Sequence, residues 1–150
     1  MRPSSNESAS SPIRVLVVDD NAIVRDALCR IVQRSADLLL VGQAADGMEA
    51  VEKAEALSPD VIVMDVNMPR LDGLGATRRI AQSRPASHVL MLTMYPEMAH
   101  DARAAGASAT ILKDCSASEL VAAIRALAPT DSTGQAPADS TAQTGKPRVR

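Results

Sequence analysis

Aromatic side chains are almost missing from this sequence, which has one Tyr and neither Phe nor Trp. Its core must be packed from Val, Ile, Leu, Met and Ala, and no aromatic platform is present on which nucleic-acid bases could stack. Cationic excess is missing as well. A formal charge of −2 argues against a surface built to coat nucleic acid, since neutralising phosphates takes a surplus of Lys and Arg. Two cysteines, Cys29 and Cys115, are too few for a disulfide scaffold and read as reduced thiols. No apolar run approaches the roughly 18 residues that a bilayer-crossing helix needs. The Ser-rich stretch Met1–Pro12 has no hydrophobic segment and does not read as a secretory signal, so the expected location is the cytoplasm.

What is present lies between two tails. Residues 1–12 and 129–150 hold too few apolar side chains to offset the entropy of ordering, and are expected to be a disordered tail and a disordered linker or tail. Residues 13–128 alternate regularly and are of ordinary domain size. Five short apolar runs stand out: Ile13–Val18, Leu38–Gly42, Val61–Met64, Val89–Leu92 and Ala109–Leu112. The first, third and fourth are nearly continuous, as strands covered on both faces are.

Each run is followed by a segment of helical period. Val24, Ala27, Leu28, Ile31 and Val32 share the buried face of the first. Asp46 with Glu49, and Ser116 with Glu119, are spaced as capping boxes ahead of the second and fifth. The third helix is expected around Leu74–Ser83, and the fourth from near Pro96 to Gly106. Five βα units call for a parallel sheet covered by helices on both faces, the flavodoxin-like doubly wound fold with strand order 2-1-3-4-5.

The carboxyl ends of these strands carry the chemistry. Asp19 and Asp20 follow the first, Asp65 the third, Thr93 the fourth and Lys113 the fifth. In an open α/β sheet such ends converge beside the switch point between strands 1 and 3. Three carboxylates brought together repel one another unless a cation lies among them, and Mg²⁺ prefers such oxygen ligands. With Lys113 as a second positive charge, the cleft suits a phosphoryl group in transit, and Asp65 is its natural nucleophile.

Val17-Val18-Asp19-Asp20-Asn21, Met64-Asp65-Val66-Asn67-Met68-Pro69 with Leu71-Asp72-Gly73, Leu92-Thr93-Met94 and Ile111-Leu112-Lys113-Asp114 together resemble the response regulator receiver domain of two-component signalling. Lys113-Asp114 and Thr93-Met94-Tyr95 resemble its NarL/FixJ type. The resemblance implies that Asp65 takes a phosphoryl group from a histidine kinase or phosphotransfer protein. It implies a Mg²⁺ site made of Asp20, Asp65 and the backbone carbonyl of Asn67, with Asp19 acting mainly through water. Thr93 and Lys113 would bind the transferred phosphate. Such a domain catalyses only its own phosphorylation and dephosphorylation.

Output is expected through helix 4, strand 5 and helix 5, using Arg103, Leu120, Val121 and Arg125. Its receiver would be a second copy of the chain or a downstream protein. No DNA binding by this chain alone and no membrane contact are expected. NarL/FixJ-type receivers usually continue into a helix-turn-helix domain, so the chain reads as a stand-alone receiver or as the amino-terminal part of a transcriptional regulator. Thr110 stands where receivers usually carry Tyr or Phe, which implies a smaller rotameric switch.

The rival reading is an aspartyl-nucleophile phosphatase of the haloacid dehalogenase type. That chemistry wants a second Asp two residues after the nucleophile, where this chain has Asn67. A flavin mononucleotide site would be repelled by Asp19 and Asp20. Cys29 reads as core and Cys115 as a small packing residue, Met64, Met91 and Met94 as core filling, and His88 and His100 as surface residues. The basic tip Lys146–Arg150 is too short to bind DNA by itself.

Overall fold

A computed structural model describes residues 11–68 and 71–128 of the chain. Residues 1–10 of the expected tail over 1–12, the expected tail over 129–150 with its basic tip, and Pro69 all lie outside the described residues.

The apolar runs form five strands: β1 (Ile13–Val18), β2 (Leu38–Ala44), β3 (Val61–Asp65), β4 (His88–Thr93) and β5 (Ala109–Leu112). They alternate with α1 (Ala22–Arg34), α2 (Gly47–Leu57), α3 (Gly73–Ser83), α4 (Ala99–Ala105) and α5 (Ala117–Leu127). The strands make one parallel sheet in the order β2-β1-β3-β4-β5, as expected.

Strand side chains alternate between two cores. Leu16, Val18, Ile62, Met64 and Met91 pack with Ala50 and Ala54 of α2, Ala76 and Ile80 of α3 and Ala102 of α4, small residues but for Ile80. Val15, Val17, Val61, Val63, Leu90 and Leu92 pack with Leu28, Cys29 and Val32 of α1 and with Leu120, Val121 and Ile124 of α5. Val15 to Val18 and Val61 to Met64 are fully buried, which removes their apolar surface from water on both faces of the sheet. Ala on the helices facing Met and Ile on the strands lets a core without rings close.

The structure moves several boundaries. β2 runs on to Ala44, because a register irregularity opposite Val15 and Leu16 lets Gln43 and Ala44 pair with Val17 and Val18. α3 begins one residue earlier than expected, at Gly73, with Asp72 as its cap. The fourth helical segment is split: Pro96–Met98 is a 3₁₀ turn, then α4 ends on Gly106 at φ 110°. The left-handed value explains that glycine.

The second capping box is complete at Ser116 and Glu119. At α2, Asp46 accepts from the Glu49 amide, but the Glu49 carboxylate takes the Ala45 N–H one residue before the cap.

Several side chains sit otherwise than read. Ala27 is exposed on the outer face of α1. Met94, past the end of β4, is 59% exposed and fills no core. His88 is half-buried, with Nδ1 3.0 Å from Ser108 Oγ, while His100 is exposed as expected. Leu120 and Val121 are buried against the sheet, and Arg125 is paired with Asp37 (Nε to Oδ2, 2.7 Å). Leu120 and Val121 therefore do not form a free output surface, because α5 spends that face on the core, whereas Arg125 stays exposed while paired with the turn before β2.

Candidate functional site

The acidic cleft is assembled by strand ends and the turns that follow them. Asp19 leaves β1 fully buried, Asp20 beside it is exposed, and Asp65 closes β3 with 5% exposure. Ligand oxygens of the three carboxylates all lie within 4.8 Å of one another. Lys113, just past β5, reaches into this group, its Nζ 3.1 Å from Asp19 Oδ2 and 3.2 Å from Asp65 Oδ1.

Each member is held by its own turn. Asp19 N–H donates to the Ala44 carbonyl at 3.1 Å, and Asp19 Oδ1 accepts the Asn21 amide at 2.9 Å. Asn21 then caps α1 through its side chain. After Asp65, the Val66 amide donates to Leu92 O at 3.2 Å, and the Gly73 amide donates to Val66 O at 2.8 Å. Only glycine fits at position 73, because a Cβ there would lie 2.2 Å from the Asp65 carbonyl oxygen. That close approach sets the start of α3 against the backbone of Asp65. The Lys113 amide donates to Thr93 O at 2.9 Å, which ties the ends of β4 and β5.

Thr93 is buried and lies one residue past Leu92, the partner of Asp65 across the sheet. Its Oγ accepts the Tyr95 amide at 3.0 Å. Asn67 is exposed, two residues past Asp65, and its backbone N–H works to lower the pKa of the Asp65 carboxyl.

The electrostatics are out of balance. Burial, then the neighbouring Asp19 charge, pushes the Asp65 carboxyl above the ordinary range, although Lys113 and the Asn67 amide pull the other way. Burial works against the Lys113 ammonium, but the oxygens of Asp19 and Asp65 outweigh it and hold its pKa up. Asp19 Oδ2 is in ion-pair range of Lys113 yet receives no well-directed hydrogen bond, so this buried oxygen keeps acceptor capacity.

Three clustered carboxylates against one ammonium, all hard oxygen donors with an under-satisfied buried oxygen, fit a small dication such as Mg²⁺. Asp19, Asp20 and Asp65 could supply its carboxylate ligands.

Asp19, Asp20, Asp65 and Lys113, read from the sequence as one cleft, are thus brought together, with Thr93 and Asn67 on the adjoining strand end and turn. The sequence reading passed over Arg25. Its Nη1 donates to the Asp19 carbonyl at 2.9 Å and its Nε to Gln43 Oε1 at 3.1 Å. A signal was available: Arg25 stands one helical turn after Asn21, on the first turn above the acidic pair.

A family described as the response regulator receiver domain matches residues 15–125. The chain is 41% identical over 124 residues to the transcriptional regulatory protein PdtaR of Mycobacterium tuberculosis, covering 81% of this chain and 60% of that protein. It is 43% identical over 115 residues to the response regulator GacA of Pseudomonas viridiflava, covering 75% of this chain and 54% of that protein. Its fold superposes on the response regulator domain of Thermotoga maritima CheB with a TM-score of 0.73 at 40% identity, over 77% of this chain and 96% of that one. The chain therefore spans no more than 60% of the length of these two curated relatives. These findings give the phosphatase reading no support. Among the described residues, no helix is long and apolar enough to cross a membrane.

Proposed function

Because this chain belongs to the response regulator receiver family, we propose that it accepts a phosphoryl group on Asp65 from a histidine kinase or phosphotransfer protein, in a Mg²⁺-dependent reaction. The observation that carries the reading is the position of Lys113 Nζ, within 3.2 Å of both Asp65 and Asp19 inside a cleft that remains rich in negative charge.

An Asp65 carboxylate oxygen attacks phosphorus in line with the donor's histidine nitrogen. The O–P bond of the acyl phosphate forms as the N–P bond breaks, and the nitrogen leaves with the electron pair. Lys113 faces the new phosphate oxygens and offsets their charge. Thr93 donates its hydroxyl to one of them, giving up its place in the Tyr95 turn. Asp19 holds Lys113 from the far side. Mg²⁺, when held by Asp19, Asp20, Asp65 and the Asn67 carbonyl, supplies charge neutralisation and orients the incoming phosphate. Asn67 offers no general base, so nothing at that position drives rapid hydrolysis.

The domain works in the cytoplasm and catalyses only its own phosphorylation and dephosphorylation. It signals by protein contact through α4, β5 and α5, where the exposed Arg103 and Leu112 and the half-buried Thr110 replace the residues that α5 buries. Relatives named as transcriptional regulators support a place as the receiver portion of such a protein.

Intact mass after incubation with acetyl phosphate tests the proposal. One added phosphoryl group is expected with Mg²⁺, and none with a chelator or in Asp65→Asn. Undiminished labelling of Asp65→Asn would sink it.

A further inference from the structure

The acidic pair Asp19-Asp20 sits on a turn, and a turn presents side chains only as well as its peptide planes are fixed. On one side the turn is anchored by the strand, through Asp19 N–H to Ala44 O. On the other it is anchored by the Asn21 amide on Asp19 Oδ1. Between them, the Asp19–Asp20 peptide is free to rotate unless its carbonyl is held.

Arg25 holds it. The guanidinium reaches back one helical turn to the Asp19 carbonyl and sideways to the Gln43 side chain at the end of β2. Gln43 is braced in turn: Lys53 Nζ donates to its backbone carbonyl at 2.5 Å and pairs with Glu49 at 3.0 Å, and Glu49 accepts the Ala45 amide. The brace therefore spans α1, the β1 end, the β2 end and α2 as far as Lys53. A guanidinium is suited to this, because its planar fork can serve two acceptors at a fixed angle, whereas an ammonium is a point donor.

Resting on the reading of the cleft as a Mg²⁺ site, we infer that Arg25 is a positioning residue for that site, which orients the Asp19–Asp20 peptide by bridging the Asp19 carbonyl to Gln43. Arg25 acts through the Asp19 carbonyl and the Gln43 side chain. It fixes the direction in which Asp20 leaves the backbone, and so the spacing between Asp20 and Asp65. Partners that orient a metal ligand without touching the ion commonly change metal affinity by about 10–100-fold when removed. Arg25 acts through a peptide plane, so about 10-fold is expected.

The test is titration of the unphosphorylated protein with MgCl₂, followed by amide NMR shifts of the cleft residues, alongside thermal melting and acetyl phosphate labelling. Arg25→Ala should raise the Mg²⁺ midpoint about 10-fold, with labelling restored toward the wild-type rate at saturating Mg²⁺. Gln43→Ala should move the midpoint the same way. The double variant should be no weaker than Arg25→Ala, because both changes break one bridge. A role in stability alone would lower the melting temperature and leave the midpoint where it was. An unshifted midpoint in Arg25→Ala, or additive losses in the double variant, would overturn the inference and leave the role of Asp65 standing. Absence of any Mg²⁺ titration in the wild type would overturn the metal reading and this inference together.

Discussion

The ammonium of Lys113 lies 3.2 Å from Oδ1 of Asp65, across the end of the sheet from the strand that carries the acid. The same nitrogen is 3.1 Å from Asp19 Oδ2, so one cation is shared by two buried carboxylates. Removing it leaves both without a counter-charge. Lys113→Met should lower the Tm in metal-free buffer, and added Mg²⁺ should raise the Tm of the variant more than that of the wild type. Labelling by acetyl phosphate should fall on the order of 100-fold, the loss typical of one missing electrostatic partner. Melting curves with and without Mg²⁺, set beside the labelling rate, check both halves.

The start of α3 fixes the backbone under Asp65. A Cβ at residue 73 would come within 2.2 Å of the Asp65 carbonyl oxygen and 2.9 Å of Val66 Cα, and both are backbone atoms that cannot step aside cheaply. Gly73→Ala should destabilise the domain by roughly 2–3 kcal/mol, an overpacking cost, and slow Asp65 labelling in the fraction that stays folded. Gly75→Ala is the control, because its nearest obstacle is the flexible end of the Leu71 side chain. Denaturant unfolding of the two variants should separate them clearly.

The Asp37–Arg125 pair predicts a pH dependence well away from the cleft. The hydrogen bond from Arg125 holds the Asp37 carboxyl below its ordinary value of 3.8. A depressed folded value means the pair contributes stability above the unfolded pKa, and loses it as the pH falls through the lower folded one. Both side chains are half-exposed, so the contribution is small and screened by salt. Asp37→Asn should melt slightly below the wild type at neutral pH in low salt. The gap should close as the pH drops below 3.8 or as salt is added. A gap that persists in acid would assign the stability to packing.

The sequence made the sheet and the cleft legible for one physical reason. Strands buried on both faces read as unbroken apolar runs, and each run gives way to a polar or charged residue at the carboxyl end of its strand: Asp19, Asp65, Thr93 and Lys113. Strand order then brings those ends together without further information. Helix faces were less legible. Leu120 and Val121 were read as output surface although their spacing also suits a core stripe, and only the position of α5 over Val61 and Leu90 decides between the two. Ala27 fits an apolar stripe by period yet lies on the outside, because Ala is too small to signal which side is buried. Met94 follows an apolar run, but the run had already ended at Thr93. His88 with Ser108 and Arg25 with Gln43 join residues 18 or more apart in the chain, and no local pattern announces such pairs.

The central claim is that Asp65 carries the phosphoryl group, and its most direct test is chemical. The protein is incubated with Mg²⁺ and acetyl phosphate, reduced with borohydride, and digested for peptide mass mapping. Hydride reduction of an acyl phosphate turns the modified aspartate into homoserine and so marks the site permanently. The account predicts homoserine at position 65 when Mg²⁺ and donor are both present, and at no position when either is omitted. Conversion of Asp19 or Asp20 in place of Asp65, or conversion of Asp65 undiminished without Mg²⁺, would contradict it.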